Sequence, residues 1–192
     1  MDTDFHRIFI ALPINDDKII QSLGEVADNL AKFRSILKIV QPINYHITVK
    51  FFGQVKSDIA ESLTKSFLSL NQLNTVNYHI DKIGAFSNKG NPSVIWAGLK
   101  CADEPLAKII SSINELSLSF GFQPEKRNFI PHLTLARIKN NSKVPLELKD
   151  YLNSKIELKF SSSLFNELVL FESILHKTGP EYKKLGVINL IK

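Results

Sequence analysis

"YHITVKFF", residues 45–52, decides how this chain is read, because its centre returns in "FIPHLTLARI", residues 129–138. His46-Ile47-Thr48-Val49 and His132-Leu133-Thr134-Leu135 both read His-x-Thr-aliphatic. Both sit among the β-branched and aromatic residues that favour strands. Side chains of a strand alternate between faces. His46 and Thr48 therefore share one face, with Ile47 and Val49 on the other, and His132 and Thr134 are set against Leu133 and Leu135 in the same way. Each copy offers an imidazole beside a hydroxyl, backed by an apolar face that can anchor in a core.

Working outward, residues 8–12 form an apolar run that ends at Pro13, as a buried strand would. Asn15 or Asp16 can cap a helix over residues 16–37, whose Ile19, Ile20, Leu23, Val26, Ala27, Leu30 and Phe33 recur at three- and four-residue spacing. The first motif strand should stop at Gly53. A helix over 57–70, a strand over 76–83, a loop over 86–93 and a strand over 94–99 follow. A helix opens at Asp103 with Pro105 and ends near Gly121. The second motif strand spans 128–138, and a short helix covers 146–152. Strands over 156–161, 167–175 and 187–191 complete the chain, with a turn at "HKTGPEY".

Strand, long helix and motif strand thus occur twice. The motif histidines lie 86 residues apart (132 − 46). The same offset puts Ala11 on Ala97 and Phe9 on Ile95. The expected architecture is an α+β fold of two related lobes in a pseudo-two-fold repeat. Two antiparallel-rich sheets flank a central cleft, with helices outside. Residues 1–192 then make one domain of two intertwined lobes, each contributing one His-x-Thr motif to the cleft.

The chain has 192 residues, 44% hydrophobic and 22% charged, enough for a sizeable core. A net charge of +5 suits an anionic partner such as RNA or a phosphate ester without requiring one. Cys101 is the single cysteine, so no intrachain disulfide forms and a reducing compartment is expected. "IFIALPI" is too short for a membrane span and lacks the layout of a signal peptide. A cytoplasmic monomer without membrane attachment is the expectation.

Paired histidines suit acid–base work on a phosphodiester. One neutral ring can take a proton from water while one charged ring gives a proton to the departing oxygen. Two threonine hydroxyls and a cation could hold the non-bridging oxygens. Arg137, whose planar fork matches phosphate, is the candidate cation. Its odd spacing from His132 puts it on the wrong face of an even strand, so a bulge or strand end after Ala136 is needed. Phe51 holds the equivalent place after His46 and could stack on a base. A single His-x-Thr is mostly accident, whereas two at matched places favour function. Without Cys, Asp or Glu at ligand spacing, the two histidines make a poor zinc set. No Gly-rich phosphate loop or Ser/His/Asp arrangement stands out. His6, His79 and His176 read as bystanders, Trp96 as core and Tyr182 as sheet packing.

"RIFIAL", "HITVKFFG", "VIWAGL", "FIPHLTLAR" and "GPEYKKL", in that order, resemble the 2H phosphoesterase superfamily. Within it they resemble most the RNA 2′,3′-cyclic phosphodiesterases, once described as 2′-5′ RNA ligases. The resemblance implies a bilobal α+β fold and hydrolysis of RNA 2′,3′-cyclic phosphate ends to 2′-phosphomonoesters, with no metal or other cofactor. It implies His46 as proton donor and His132 as proton acceptor. Thr48, Thr134 and Arg137 would be phosphate ligands, and Phe51 would lie beside the base. Phe52 stands where that family commonly has leucine. Other cyclic or 2′-5′-linked nucleotides, a non-catalytic RNA-end-binding module and the reverse, end-joining reaction are the alternatives.

Overall fold

The computed structural model of the protein describes residues 4–88, 91–124, 128–140, 142–154, 162–177 and 179–192. β1 (Phe5–Pro13) leads into α1 (Asp17–Ser22) and α2 (Gly24–Ala31). β2 (Leu37–Ile39), a 3₁₀ turn (Pro42–Asn44) and β3 (His46–Lys56) follow, then α3 (Ser57–Leu68). The hairpin of β4 (Val76–Asn88) and β5 (Asn91–Cys101) precedes α4 (Asp103–Ser119), β6 (His132–Ile138) and α5 (Leu146–Asn153). β7 (Ser163–Phe165), β8 (Glu167–His176) and β9 (Gly179–Asn189) end the chain.

The sheet order is β7-β4-β5-β6-β3-β1-β8-β9, with β2 also on β6, and every strand pairing is antiparallel. The order is symmetric about its middle: β6 and β3 are central, β5 and β1 flank them, and β4 and β8 come next. The two halves of the sheet touch at one register pair, Ile47 with Leu133. Among the described residues the strands form one nine-stranded sheet whose two matched halves join at the motifs. The lobe holding β1 and β3 is completed by β8 and β9 from the far end of the chain.

One face of this sheet is covered by helices. Ile8, Ile10, Leu12, Ile47 and Leu133 share a core there with Leu30, Leu63, Phe67, Ile109 and Ile113. The opposite face carries a small separate cluster of Phe9, Ala11, Val169 and Phe171, with Tyr182 packed on it. A β-strand with unlike faces explains both: in β1 the aliphatic set faces the helices and Arg7, Phe9 and Ala11 face away.

Several boundaries differ from those the sequence suggests. The long first helix is broken at Leu23 and ends at Ala31. Residues 32–36, expected to be helix, form a turn, and β2 starts at Leu37, the expected last helical residue, because the Leu37–Ile39 backbone pairs with the free edge of β6. β3 runs through Gly53, whose φ of +77° only glycine adopts without cost. There Phe52 bulges out of register. Residues 86–88 and 91–93 are strand, because the expected loop is the closed end of the β4–β5 hairpin. In "HKTGPEY", β9 already starts at Gly179. β7 escaped sequence reading altogether, and the strand expected over 156–161 lies outside the described residues.

The offset of 86 holds for the motif strands and fails by one for the strands that open each half. Ala11 pairs with Thr48, but Trp96, not Ala97, pairs with Thr134. A one-residue slip flips a side chain to the other face. Ala97 accordingly lies in the helix-side core and Ala11 in the opposite cluster.

Candidate active site

Backbone pairing assembles the site. With Ile47 opposite Leu133 in antiparallel register, the next positions set His46 across from Thr134 and Thr48 across from His132. Ile47 and Leu133 are buried on the helix side. The two histidines and two threonines therefore all project from the open face.

Both strands then bulge at matched places. Val49 has no partner between the Ala11–Thr48 and Ile10–Lys50 pairs. Leu135 has none between the Trp96–Thr134 and Ile95–Ala136 pairs. Each extra residue reverses the alternation. Lys50 and Ala136 turn inward, and Phe51 and Arg137 turn to the motif face. The bulge that Arg137 needs thus exists, one residue earlier than the sequence suggests. The freed backbone there is used: the Val40 N–H donates to the Leu135 carbonyl at 2.8 Å. Lys50, the buried counterpart of Ala136, donates to the Gln123 carbonyl at 2.7 Å.

The imidazoles are held alike. Nδ1 of His46 lies 2.7 Å from the Asn44 carbonyl, and Nδ1 of His132 lies 2.8 Å from the Ile130 carbonyl. A carbonyl only accepts, so each Nδ1 carries a proton and donates it. Each Nε2 is left to accept a proton when the ring is neutral and to donate one when it is charged. Their surroundings differ. His46 lies against Phe9 (centroids 5.1 Å apart) and against the edge of Tyr182 (5.3 Å). His132 meets Phe86 edge-on at 4.9 Å. Burial under the aromatic rings holds the His46 pKa below the ordinary imidazole value. The Asn44 carbonyl opposes that shift, while the charges of Arg137 and His132 add to it.

A groove of about 1000 Å³ opens over this face. His46, Thr48, Phe51, Thr134 and Arg137 line it, while His132 stands outside its wall. Arg7, Phe9 and Tyr182 line it too. The Arg7 guanidinium lies 4.9 Å from the Phe51 ring centroid, within cation–π range. One rim is the stretch from Arg34 to Asn44, and the other is the β8–β9 tip with His176, Lys177 and Glu181. The Asn44 amide donates to the Pro180 carbonyl at 3.3 Å and ties the rims together.

Sequence reasoning missed Arg7, Phe9, Arg34, Lys38 and Lys177 as groove residues, and it placed Tyr182 in the sheet only. Alternation in "RIFIAL" carried the signal for the first two, since Arg7 and Phe9 share the face that Ile8 and Ile10 avoid. Nothing in the sequence distinguishes Arg34 and Lys38 from solvated helix residues. His176 bonds Glu181 at 2.9 Å on the rim, and His79 is exposed on β4. Trp96 is half-buried on the motif face rather than in the core, its ring lying where a Cβ on Gly84 or Gly98 would collide with it.

His6 is on β1, not before it, and belongs elsewhere. Its Nδ1 lies 2.6 Å from Glu172 Oε1 and its Nε2 lies 3.2 Å from Ser57 Oγ. This is the bonding order of a serine hydrolase triad. The small cavity in front of it is lined by Asp58, Glu61 and Lys65, and the two carboxylates outnumber the one cation where an oxyanion would develop. We read the cluster as a clamp joining β1, β8 and α3.

Comparison with known proteins gives the following matches. The family described as LigT like Phosphoesterase matches residues 13–96 and 99–182, two segments that start 86 residues apart (99 − 13). The RNA 2′,3′-cyclic phosphodiesterase of Aeropyrum pernix is 30% identical over 167 residues, covering 87% of this chain and 94% of that protein. Its namesake from Archaeoglobus fulgidus is 32% identical over 188 residues, covering 94% and 98%. Among solved structures, E. coli LigT in apo form superposes with a TM-score of 0.76 at 19% identity, covering 99% of this chain and 100% of that one. E. coli LigT complexed with 3′-AMP superposes at 0.69 and 18% identity, covering 98% and 100%.

Proposed function

The chain belongs to the LigT-like phosphoesterase family of the 2H superfamily, and from that premise we propose that it hydrolyses RNA 2′,3′-cyclic phosphate ends to 2′-phosphomonoesters. A phosphodiesterase activity follows from the membership. The finer reading rests on one observation: two histidines, each with Nδ1 bound to the carbonyl two residues before it, project from one face of the sheet on matched strands, beside the cationic groove that His46 lines.

In this reading the cyclic phosphate sits between the rings. His132 Nε2 takes a proton from water, whose oxygen attacks phosphorus. The bond from phosphorus to the 3′ oxygen breaks, and His46 Nε2 gives that oxygen its proton. The 2′ phosphate and a 3′ hydroxyl remain. The Thr48 and Thr134 hydroxyls and the Arg137 fork hold the non-bridging oxygens as charge builds on them. The base stacks on the Phe51–Arg7 pair. In the free protein the aromatic wall favours the neutral form of His46. The phosphate anion opposes that effect and favours the imidazolium that the acid step needs. Because the site draws one motif from each lobe, the two lobes act as a single domain. Joining of ends is the microscopic reverse, and abundant water keeps it minor. An RNA substrate also accords with the cytoplasmic compartment expected from the lone Cys101.

The test is turnover of a short RNA ending in a 2′,3′-cyclic phosphate, with EDTA present and the 2′- and 3′-monophosphates resolved. His46→Ala and His132→Ala should each lose about 10²–10⁴-fold in kcat while keeping the wild-type melting temperature within a few degrees. Full activity in either variant, or a 3′-monophosphate product, would sink the assigned roles. RNA binding without any product would favour the end-binding module.

A further inference from the structure

The groove holds more positive charge than one cyclic phosphate can use. Arg7, Arg34, Lys38, Arg137 and Lys177 line it, and Glu181 is the one carboxylate among its described residues. Glu181 is hydrogen-bonded to His176 Nε2 at 2.9 Å. A 2′,3′-cyclic phosphate carries a single negative charge, and Arg137 stands beside its proposed seat. Arg7 is stacked on Phe51. Arg34, Lys38 and Lys177 are left over, all exposed; Lys177 lies on the β8–β9 rim, and Arg34 and Lys38 share the other rim.

That rim is built outward from the site. Lys38 on β2 is the register partner of Arg137 on β6. The turn carrying Arg34 is fastened to the end of β6, where Lys139 Nζ donates to the Arg34 and Ser35 carbonyls at 2.9 Å each. The Lys139 N–H also donates to the Ile36 carbonyl at 2.8 Å. Arg137, Lys38 and Arg34 therefore follow one another along backbone that is held in place. A groove of about 1000 Å³ is at the upper end of what one small ligand fills.

A terminal cyclic phosphate has polynucleotide on its 5′ side only. Charge beyond the reacting phosphate can meet only the phosphodiesters upstream of it. We propose that Arg34 and Lys38 form a track for these upstream phosphates, so that the enzyme acts on single-stranded RNA ends in preference to cyclic mononucleotides. This rests on the reading of the site as a cyclic phosphodiesterase, and adds chain-length selectivity and the residues that set it.

The experiment compares kcat/KM for a 2′,3′-cyclic mononucleotide with that for a tetranucleotide ending in the same cyclic phosphate. The wild type should prefer the tetranucleotide by about tenfold or more, chiefly through KM. The log–log salt slope should be steeper by about 0.7 for each upstream phosphate held. In the double variant Arg34→Gln/Lys38→Gln the ratio between the two substrates should fall at least fivefold and the extra slope should shrink. Arg34→Lys/Lys38→Arg, which keeps the charges, should retain the ratio. Equal use of both substrates by the wild type, or an unchanged ratio in the double glutamine variant, overturns the track while leaving the cyclic phosphodiesterase reading standing. Turnover of neither substrate overturns that reading, and the track with it.

Discussion

At His46 an aromatic wall and a nearby cation lower the pKa of the ring. Phe9 and Tyr182 strip water from it, which is the main cause of its lowered pKa, and the Arg137 charge contributes. Removing either should therefore raise it: Tyr182→Ala by rehydrating the ring, Arg137→Gln by deleting a nearby cation. NMR titration of His46 checks both, and a His46 pKa unmoved by both substitutions would contradict this account. The sign carries into kinetics. If His46 is the acid, its lowered pKa leaves a smaller fraction of the free enzyme carrying the needed imidazolium near neutral pH, and kcat/KM should rise as pH falls toward the ordinary imidazole value. Bound phosphate favours the charged ring, so the alkaline limb of kcat should lie at higher pH than that of kcat/KM. It carries into stability as well. As pH drops below the ordinary imidazole value, the unfolded chain takes up this proton before the folded one does, so stability falls with acid. Tyr182→Ala should flatten that slope.

Among the elements, α1 is short and depends on its cap. Asp16 accepts from the Lys18 N–H at 2.8 Å and the Ile19 N–H at 3.3 Å, and its other oxygen accepts from Ser163 Oγ at 2.6 Å. One carboxylate thus caps a helix and fastens β7 to it. The Ser163 bond is the chief reason that the Asp16 pKa is lowered. Asp16→Ala should cost about 1 kcal/mol, as lost caps do. In a chain of this length that is a fall in melting temperature of about 2–4 °C. A depressed carboxylate stabilises above its unfolded pKa and stops doing so as pH falls through the folded one. The difference between wild type and Asp16→Ala should therefore be full at neutral pH and vanish in strong acid. A difference independent of pH would show that the carboxylate charge is not the cause.

At the scale of the whole molecule, the crossing of the chain between lobes matters most. β8 and β9 come from the end of the chain, yet β8 pairs with β1 and supplies Val169 and Phe171 to the cluster behind His46. A chain ending at residue 140 would leave β1 an open edge and Phe9 in water. It should show no cooperative thermal transition, whereas the full chain should melt in one step; calorimetry of both decides this. The centre of the molecule is equally exposed to damage. Leu133, which meets Ile47 at the one contact between the half-sheets, is 1% exposed. Leu133→Ala should cost about 2–5 kcal/mol through the cavity it leaves. It should also lower kcat, because the two motifs are held in register there. A stable variant with full turnover would mean that the bridge does not position the site.

Local patterns in the sequence determined a good deal by themselves. A period of two set the faces of both motif strands, since alternation is a property of the extended backbone alone. Helical spacing located α3 and α4 within a residue or two, and the doubled motif announced the repeat. What needs partners from afar was not legible. β2 forms because β6 has a free edge, so nothing local marked residues 37–39 as a strand, and Leu37 read as the last residue of a helix. Leu135 and Val49 bulge because the neighbouring strands fix the register on either side, and only that pairing turns Arg137 and Phe51 to the motif face. The one-residue slip between Ala11 and Trp96 was hidden for the same reason: identity at Ala97 suggested one alignment and burial enforced another. Arg34 and Lys38 look like ordinary solvated charges until β2 seats them beside Arg137. Chemistry was written in the residues, and the tertiary structure decided which of them meet, because strand pairing joins positions that no local preference connects.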